Sequence, residues 1–284
     1  MTRVMVTGAA GQLGSAIVVR MSASCTVSAY TRAELDLADA PRVLETMTGC
    51  GAQVVVNCAA YNDVDAAEDA APAALTGNAL AVQSLARAAI ATGATLIHYG
   101  TDFVFDGTAD RAYVETDACR PLSTYGLSKL LGEWLALEAP GAYVLRVESL
   151  FGGRPAKSSI DKILAAIRAG QPVRVFADRT VTPSFVDDVA RATEAIILAG
   201  PRRPAPGVYH CVNSGETTWV GVAEEIARML GRDAELVPVK STEVKLKARR
   251  PVYCALSNGK LRAAGIAMPT WQNALERYVT VGSR

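Results

Sequence analysis

A short apolar run, residues 3–7 (RVMVT), leads at once into Gly8-Ala-Ala-Gly11-Gln-Leu-Gly14. Few sequence features restrict a fold more. A strand that turns sharply into a helix leaves backbone N–H groups free at the helix N-terminus, where the helix dipole is positive. Glycines at such a turn permit positive φ and let a pyrophosphate approach the backbone. The spacing is GxxGxxG, not the GxGxxG of the common dinucleotide fingerprint, so the turn alone is weak evidence. Its surroundings strengthen it. Val-rich runs recur at 26–30 (TVSAY), 53–58 (QVVVNC), 95–99 (TLIHY), 143–147 (YVLRV) and 173–176 (VRVF). Between them lie Ala- and Leu-rich stretches with helical spacing, among them 73–92 and 123–137. Strand alternating with helix gives βαβ units and a parallel sheet. Continuous apolar strands are those covered on both faces.

The expected fold is therefore α/β: a Rossmann-type doubly wound parallel sheet with a smaller, interleaved C-terminal α/β substrate lobe. Residues 1–150 should form the dinucleotide-binding domain, with part of 178–205 returning to it. Residues 151–177 and 206–284 should form the smaller lobe, with a strand at 208–212 and a helix near 218–230. At 284 residues and 50% hydrophobic, the chain can build a substantial core. A net charge of +1 offers no polybasic field for nucleic acid. No apolar run reaches the length of a membrane span, and the N-terminus lacks a secretory h-region. The cysteines at 25, 50, 58, 119, 211 and 254 form no CxxC pair, and the two histidines, His98 and His210, are far from any cysteine cluster. Reduced thiols in a cytoplasmic protein, and no metal site, are the expectation.

The end of the second strand bears on cofactor choice. A site for NAD usually presents an acid there to the ribose hydroxyls. Here the chain reads Ala29-Tyr30-Thr31-Arg32. A guanidinium can grip a 2′-phosphate in a planar, charge-assisted fork, which favours NADPH over NADH. The alternative is a solvated Arg32, with Glu34 or Asp36 supplying the acid and NADH the cofactor.

Residues 125–129 read YGLSK within a helical stretch. Positions i and i+4 share a helix face, so Tyr125 and Lys129 can face one ligand together. With a nicotinamide cofactor the chemistry is hydride transfer at a carbonyl carbon, and the carbonyl oxygen then needs a proton donor. A phenol can donate, and a nearby ammonium would lower its pKa. A bare YxxxK is more often a surface pair. The run 100–107 (GTDFVFDG), directly after the fourth strand, changes that balance, because ligands bind beyond the carboxyl ends of strands in such sheets. The Thr101 hydroxyl could hold the same oxygen that Tyr125 protonates.

These pieces together resemble an extended short-chain dehydrogenase/reductase, and within that superfamily the dTDP-4-dehydrorhamnose reductase branch. The resemblance rests on residues 8–14 (GAAGQLG), 55–69 (VVNCAAYNDVDAAED), 100–107, 125–133 (YGLSKLLGE), 178–190 (DRTVTPSFVDDVA), 207–219 (GVYHCVNSGETTW) and 249–261 (RRPVYCALSNGKL), in family order and over nearly the whole chain. It implies NADPH-dependent reduction of a 4-keto group on a nucleotide-linked deoxy sugar. It also implies a cofactor lying along Gly8, Gly11, Gln12, Leu13 and Gly14, past Arg32, Asp36 and Leu37, along Cys58, Ala59, Ala60 and Tyr61, and past Asn78. Thr101, Tyr125 and Lys129 would be catalytic. Val64, Asp65, Asp102, Glu148, Thr182 and Arg250 would meet the nucleotide sugar, Arg250 being the member of the basic cluster 245–250 best placed for a diphosphate. A homodimer is implied as well. Two departures stand out. The branch's Arg-Thr-Ser-Trp is here Arg146-Val147-Glu148-Ser149, which removes a flat apolar wall and adds a carboxylate, and an acidic position linked to magnesium in some members is here Ala16. The competing readings are a sugar-nucleotide epimerase or dehydratase holding its NAD tightly, and a regulatory subunit that only binds nucleotide. Arg32 speaks against the first and the intact Thr101, Tyr125 and Lys129 set against the second.

Overall fold

Five strands keep the expected rhythm through the first half of the chain: β1 (Arg3–Thr7), β2 (Thr26–Tyr30), β3 (Val54–Asn57), β4 (Thr95–Thr101) and β5 (Tyr143–Val147). They are seen in a computed structural model that describes residues 1–281. Helices connect them: α1 (Gln12–Met21), α2 (Ala40–Gly49), α3 (Ala71–Leu75) with α4 (Ala81–Thr92), and α5 (Thr124–Ala136). A sixth strand, Gly207–His210, completes the sheet beside β5, giving the order Gly207–His210, β5, β4, β3, β1, β2. All five pairings are parallel.

The strands are buried on both faces because both faces carry helices. Val4, Val6, Val54, Val56, Ile97 and Leu145 point into one core with Ile17 of α1 and with Val189, Ile196 and Ile197 of the helix Val186–Leu198. Met5, Val55, Leu96 and Val144, one residue out of phase, point into the other core with Val43, Met47, Val82 and Leu85 of α2 and α4. Alternate side chains on a strand face opposite ways, so a run such as VVVN serves both layers. Each fully buried aliphatic side chain of this kind contributes about 1.5–3 kcal/mol.

Two details differ from the sequence expectation. The strand Gly207–His210, expected in the smaller lobe, belongs to the large sheet, because its register beside β5 (Gly207 opposite Tyr143, His210 opposite Arg146) supplies the last ladder. The helix expected over 73–92 is interrupted by one π-type turn, Thr76–Leu80. Such turns are often found at functional sites. Here the turn carries Asn78, whose side chain accepts from Tyr61 N at 2.8 Å and donates to Tyr61 O at 3.0 Å and to Ser128 Oγ at 2.9 Å.

The segments expected in the smaller lobe include the helices Ser159–Arg168 and Trp219–Leu230 and a two-stranded parallel pair, Val173–Phe176 with Leu236–Val239. The first helix starts with a reciprocal cap in which Ser158 and Asp161 satisfy each other's backbone N–H.

Candidate active site

The strand order reverses direction between β1 and β3, and in doubly wound sheets a crevice opens at the carboxyl ends of the strands there. A cavity of about 470 Å³ occupies that point. Its walls are chiefly backbone and small side chains: Gly8 and Gly11 on one side, Cys58, Ala59, Ala60 and Tyr61 on the other, and Arg32, Asp36 and Leu37 at the far end. Gly8 has φ of +68°, and a Cβ there would meet Ala59 N at 2.5 Å. Only glycine lets the two walls come this close. The floor is pinned by Asn57, whose Oδ1 accepts from Thr7 Oγ1 at 2.8 Å and from Ala59 N at 3.0 Å.

Gln12, Leu13 and Gly14 belong to α1 behind this wall. Gln12 Nε2 donates to Gly152 O at 2.7 Å, and Leu13 is part of the core. Asn78 likewise stands behind the wall as the clamp on Tyr61. Arg32 is exposed at the mouth, whereas Glu34 folds back to accept from Thr31 N at 2.8 Å and Thr31 Oγ1 at 2.7 Å. Glu34 is thus engaged locally, while Asp36 shares the far end of the groove with Arg32 and accepts from Ala38 N at 3.0 Å. A groove walled by glycine and alanine backbone, with the N-terminus of α1 beside it and a free guanidinium at its end, fits a dinucleotide carrying an extra phosphate.

Thr101 and Tyr125 contact each other, and Lys129, one turn along α5, acts by its charge on Cys58 in the groove wall. Thr101 closes β4 and caps a short 3₁₀ turn, Asp102–Val104, accepting from Phe103 N at 3.3 Å. Tyr125 stands in the first turn of α5, whose N-terminus is capped by Ser123, and Lys129 follows one turn later. The phenol hydrogen-bonds Thr101 and packs edge-on against Phe103. It is held above its ordinary pKa, chiefly by burial and further by the Asp102 charge, while the Thr101 hydrogen bond pulls the other way. The lowering by Lys129 expected from the i, i+4 spacing is not found. Lys129 Nζ donates to Tyr99 O at 2.6 Å on the sheet, and its charge acts on Cys58 and His98 instead. Burial in turn brings Lys129 down to about 8, opposed by Glu133 and Cys58.

Behind these groups lies a buried ion pair, Glu133 with Arg146, at 2.8 Å. Gly100 exists for its sake: a Cβ there would meet Glu133 Oε1 at 2.2 Å. The carboxylate can therefore lie against β4 and fix the strand end that carries Thr101. Reading the sequence did not single out Glu133 and assigned Arg146 no role; the i+4 spacing of Glu133 from Lys129 was the available signal.

A second cavity, of about 380 Å³, is lined by Asp102, the residue after Thr101, and shares Asn62 with the groove. Of the expected sugar-binding residues, Val64, Asp102 and Glu148 line it. Asp65, Thr182 and Arg250 do not. Asp65 and Arg250 bind each other at 2.9 Å, and Asp65 also accepts from Ala248 N at 2.9 Å. Thr182 is fully buried, accepting from Leu256 N at 3.1 Å and donating its own N–H to Glu148 Oε2 at 2.8 Å. Lys157, Arg179 and Trp219 also line the cavity. Trp219 and Arg179 lie within stretches that carried the family resemblance, yet nothing local marked them as lining residues. Ser149 occupies the missing tryptophan's position with φ of 45°, a left-handed conformation uncommon outside glycine. An indole nevertheless lines the pocket, supplied by Trp219 from another helix.

A doubly wound sheet with a glycine turn at its switch point, and a Tyr–Lys pair on the helix that follows β4, defines an extended short-chain dehydrogenase/reductase. Comparison with known proteins agrees. The family model described as RmlD substrate binding domain matches residues 1–283, and the chain belongs to that family. It is 37% identical over 282 residues to a dTDP-4-dehydrorhamnose reductase of Mycobacterium tuberculosis, covering 96% of this chain and 91% of that one. It is 34% identical over 288 residues to one of Burkholderia thailandensis, covering 96% of each. The structure superposes on that of a dTDP-4-dehydrorhamnose reductase from Bacillus anthracis in complex with NADP with a TM-score of 0.93, at 27% identity and covering 99% of this chain and 100% of that one.

Proposed function

We propose that the chain is an NADPH-dependent reductase of the 4-keto group of a nucleotide-linked deoxy sugar. The observation that supports this reading most is the Thr101–Tyr125 contact next to Asp102 of a polar pocket, with the Lys129 charge acting on Cys58 in the wall of a groove suited to a dinucleotide. A nicotinamide held in the groove supplies the hydride. Tyr125 donates its phenolic proton to the ketone oxygen as that oxygen gains electrons. Thr101 holds the same oxygen and keeps the carbonyl in line. Lys129, anchored on Tyr99 O, presents its charge at the inner end of the groove and orders what lies there. Gly8, Gly11, Ala59 and Ala60 would cradle the pyrophosphate through backbone N–H groups, and Arg32 would take the 2′-phosphate. The sugar would lie in the pocket of Val64, Asp102, Glu148 and Trp219. Names carried by the relatives support the same substrate class.

The protein is further proposed to act as a homodimer in the cytoplasm. Leu80 of the π-type turn and Leu127 and Trp134 of α5 are exposed, apolar side chains of the sort that can pack against a second copy. No helix among the described residues is long and apolar enough to cross a membrane.

The deciding assay follows NADPH absorbance with dTDP-4-keto-6-deoxy sugars, using NADH as the comparison. Turnover with NADPH sustains the proposal. Tight NADPH binding without turnover of any such sugar sinks it and favours a binding subunit. Purification with NAD retained would favour an epimerase.

A further inference from the structure

Asp102 and Glu148 bring two carboxyl groups together in the wall of the sugar pocket. They are 5% and 2% exposed, and their oxygens, with Cys254 Sγ, all lie within 4.8 Å of one another. Two buried carboxylates at that range repel strongly unless a cation or a proton separates them. No ion pair within 4.0 Å reaches either carboxyl among the described residues. Arg179 is the nearest cation in the wall; it lies near Cys254 Sγ at 3.9 Å, and its buried Nε has no partner. A metal ion would sit poorly beside that guanidinium and against a thiol whose ionisation burial strongly opposes. A proton is the remaining way to relieve the pair.

We propose that Asp102 and Glu148 share a single proton, and that this acid pair sets the Thr101 hydroxyl as a donor toward the substrate oxygen. This rests on the reductase reading above. Thr101 Oγ1 lies 3.1 Å from Asp102 Oδ1 and accepts from Phe103 N. A hydroxyl has one hydrogen and can accept two. When both carboxyls are ionised, that hydrogen points at Asp102 and is lost to the ketone. When Asp102 carries the shared proton, Asp102 donates to Oγ1, both acceptor positions are filled, and the Thr101 hydrogen turns to the pocket beside the Tyr125 phenol. Glu148 is then a positioning residue. Thr182 N holds its Oε2, and its negative charge keeps the proton on the pair. Both carboxyls sit above their ordinary pKa values, in each case chiefly through burial. The other titratable or charged groups facing the pair are Tyr125, Arg179, Tyr253, Cys254 and, across the pocket, Lys157.

The test combines infrared spectroscopy of the substrate-free protein with a pH–rate profile. The wild type should show a protonated-carboxyl C=O stretch near neutral pH that shifts in heavy water, disappears as pH rises, and is absent in Glu148→Gln. Ketone reduction should fall on the alkaline side with the same midpoint as that band. In Glu148→Gln the limb should move down by about one pH unit or more, with NADPH affinity unchanged. Gln keeps the shape and the acceptor for Thr182 N. A wild type with no such band overturns the proposal. So does a Glu148→Gln enzyme that is slower at every pH with an unmoved limb, since that is a structural effect. A band that behaves as described in a protein that reduces no ketosugar supports the acid pair and sinks the reductase reading instead.

Discussion

The two cavities, which share Asn62, are built from different materials. The dinucleotide groove is made largely of backbone and small side chains, Gly8, Gly11, Ala59 and Ala60 among them, with the charges of Arg32 and Asp36 at its far end. The second cavity, the proposed sugar pocket, is made of side chains, with Asp102 and Glu148 buried and Arg179 and Lys157 in the same wall. Backbone recognition tolerates no added atom but asks little of side-chain chemistry. Side-chain recognition can be rewritten one residue at a time while the sheet stays intact. The groove thus reads the invariant part of a reaction, and the pocket the part that differs between sugars. Of the chain's departures from its family pattern, Glu148 and Ser149 fall in the pocket, while Ala16 lies on α1.

The strongest blow to this division falls where the two cavities meet. Tyr125→Phe should lower kcat about 10²–10⁴-fold while leaving NADPH affinity, measured by fluorescence titration, nearly as it was. An equal loss of binding would mean that Tyr125 belongs to the groove alone. Next comes the pair that supports both. Arg146→Met leaves Glu133 charged and buried without a partner, at a cost of about 3–5 kcal/mol in denaturant unfolding. Gly8→Ala should come third, and it should act only on the groove. Its Cβ has no room against Ala59, and overpacking costs about 1–3 kcal/mol, visible as weakened NADPH and NADH binding alike. Arg32→Ala is gentler and selective: losing a charge-assisted contact of about 1.5–3 kcal/mol should weaken NADPH roughly tenfold or more and leave NADH unmoved.

The smallest effect tests the pocket through pH. Asp102 titrates at about 6 in the folded chain, above its ordinary value of 3.8. A carboxyl raised on folding adds stability below its ordinary value and loses it as pH rises through the folded one. Asp102→Asn cannot ionise, so its melting temperature relative to wild type should rise between pH values well below and well above 6. A constant difference would mean that Asp102 does not titrate on folding.

The same contrast explains how much could be read from the chain. The groove was legible because its determinants are local. A strand, three spaced glycines and a helix fall within a dozen residues, and the i, i+4 pair of Tyr125 and Lys129 lies within a single helix. The pocket was half legible. Val64, Asp102 and Glu148 were identified, but Lys157, Arg179 and Trp219 come from three further segments whose convergence depends on the packing of the smaller lobe. Asp65 and Arg250 were expected at the substrate from the family resemblance; spacing could not show that the segment 248–250 comes back to Asp65 and pairs Arg250 with it. The effect of Lys129 on Tyr125 was misjudged for a related reason. Helical spacing gives a shared face, but the carbonyl of Tyr99, on a strand the helix rests against, claims the ammonium first.

The placement of Gly207–His210 has a consequence for the chain as it is made. On a ribosome, β5 leaves the exit tunnel some sixty residues ahead of the strand that will lie beside it. Until then its outer edge presents unpaired N–H and C=O groups, a template for any extended segment that meets it. The helix Val186–Leu198, which covers α1, also arrives late. The N-terminal half therefore cannot finish folding as an independent unit during synthesis. A fragment ending at residue 150 should accumulate as aggregate, whereas one extended past residue 210 recovers its closing strand.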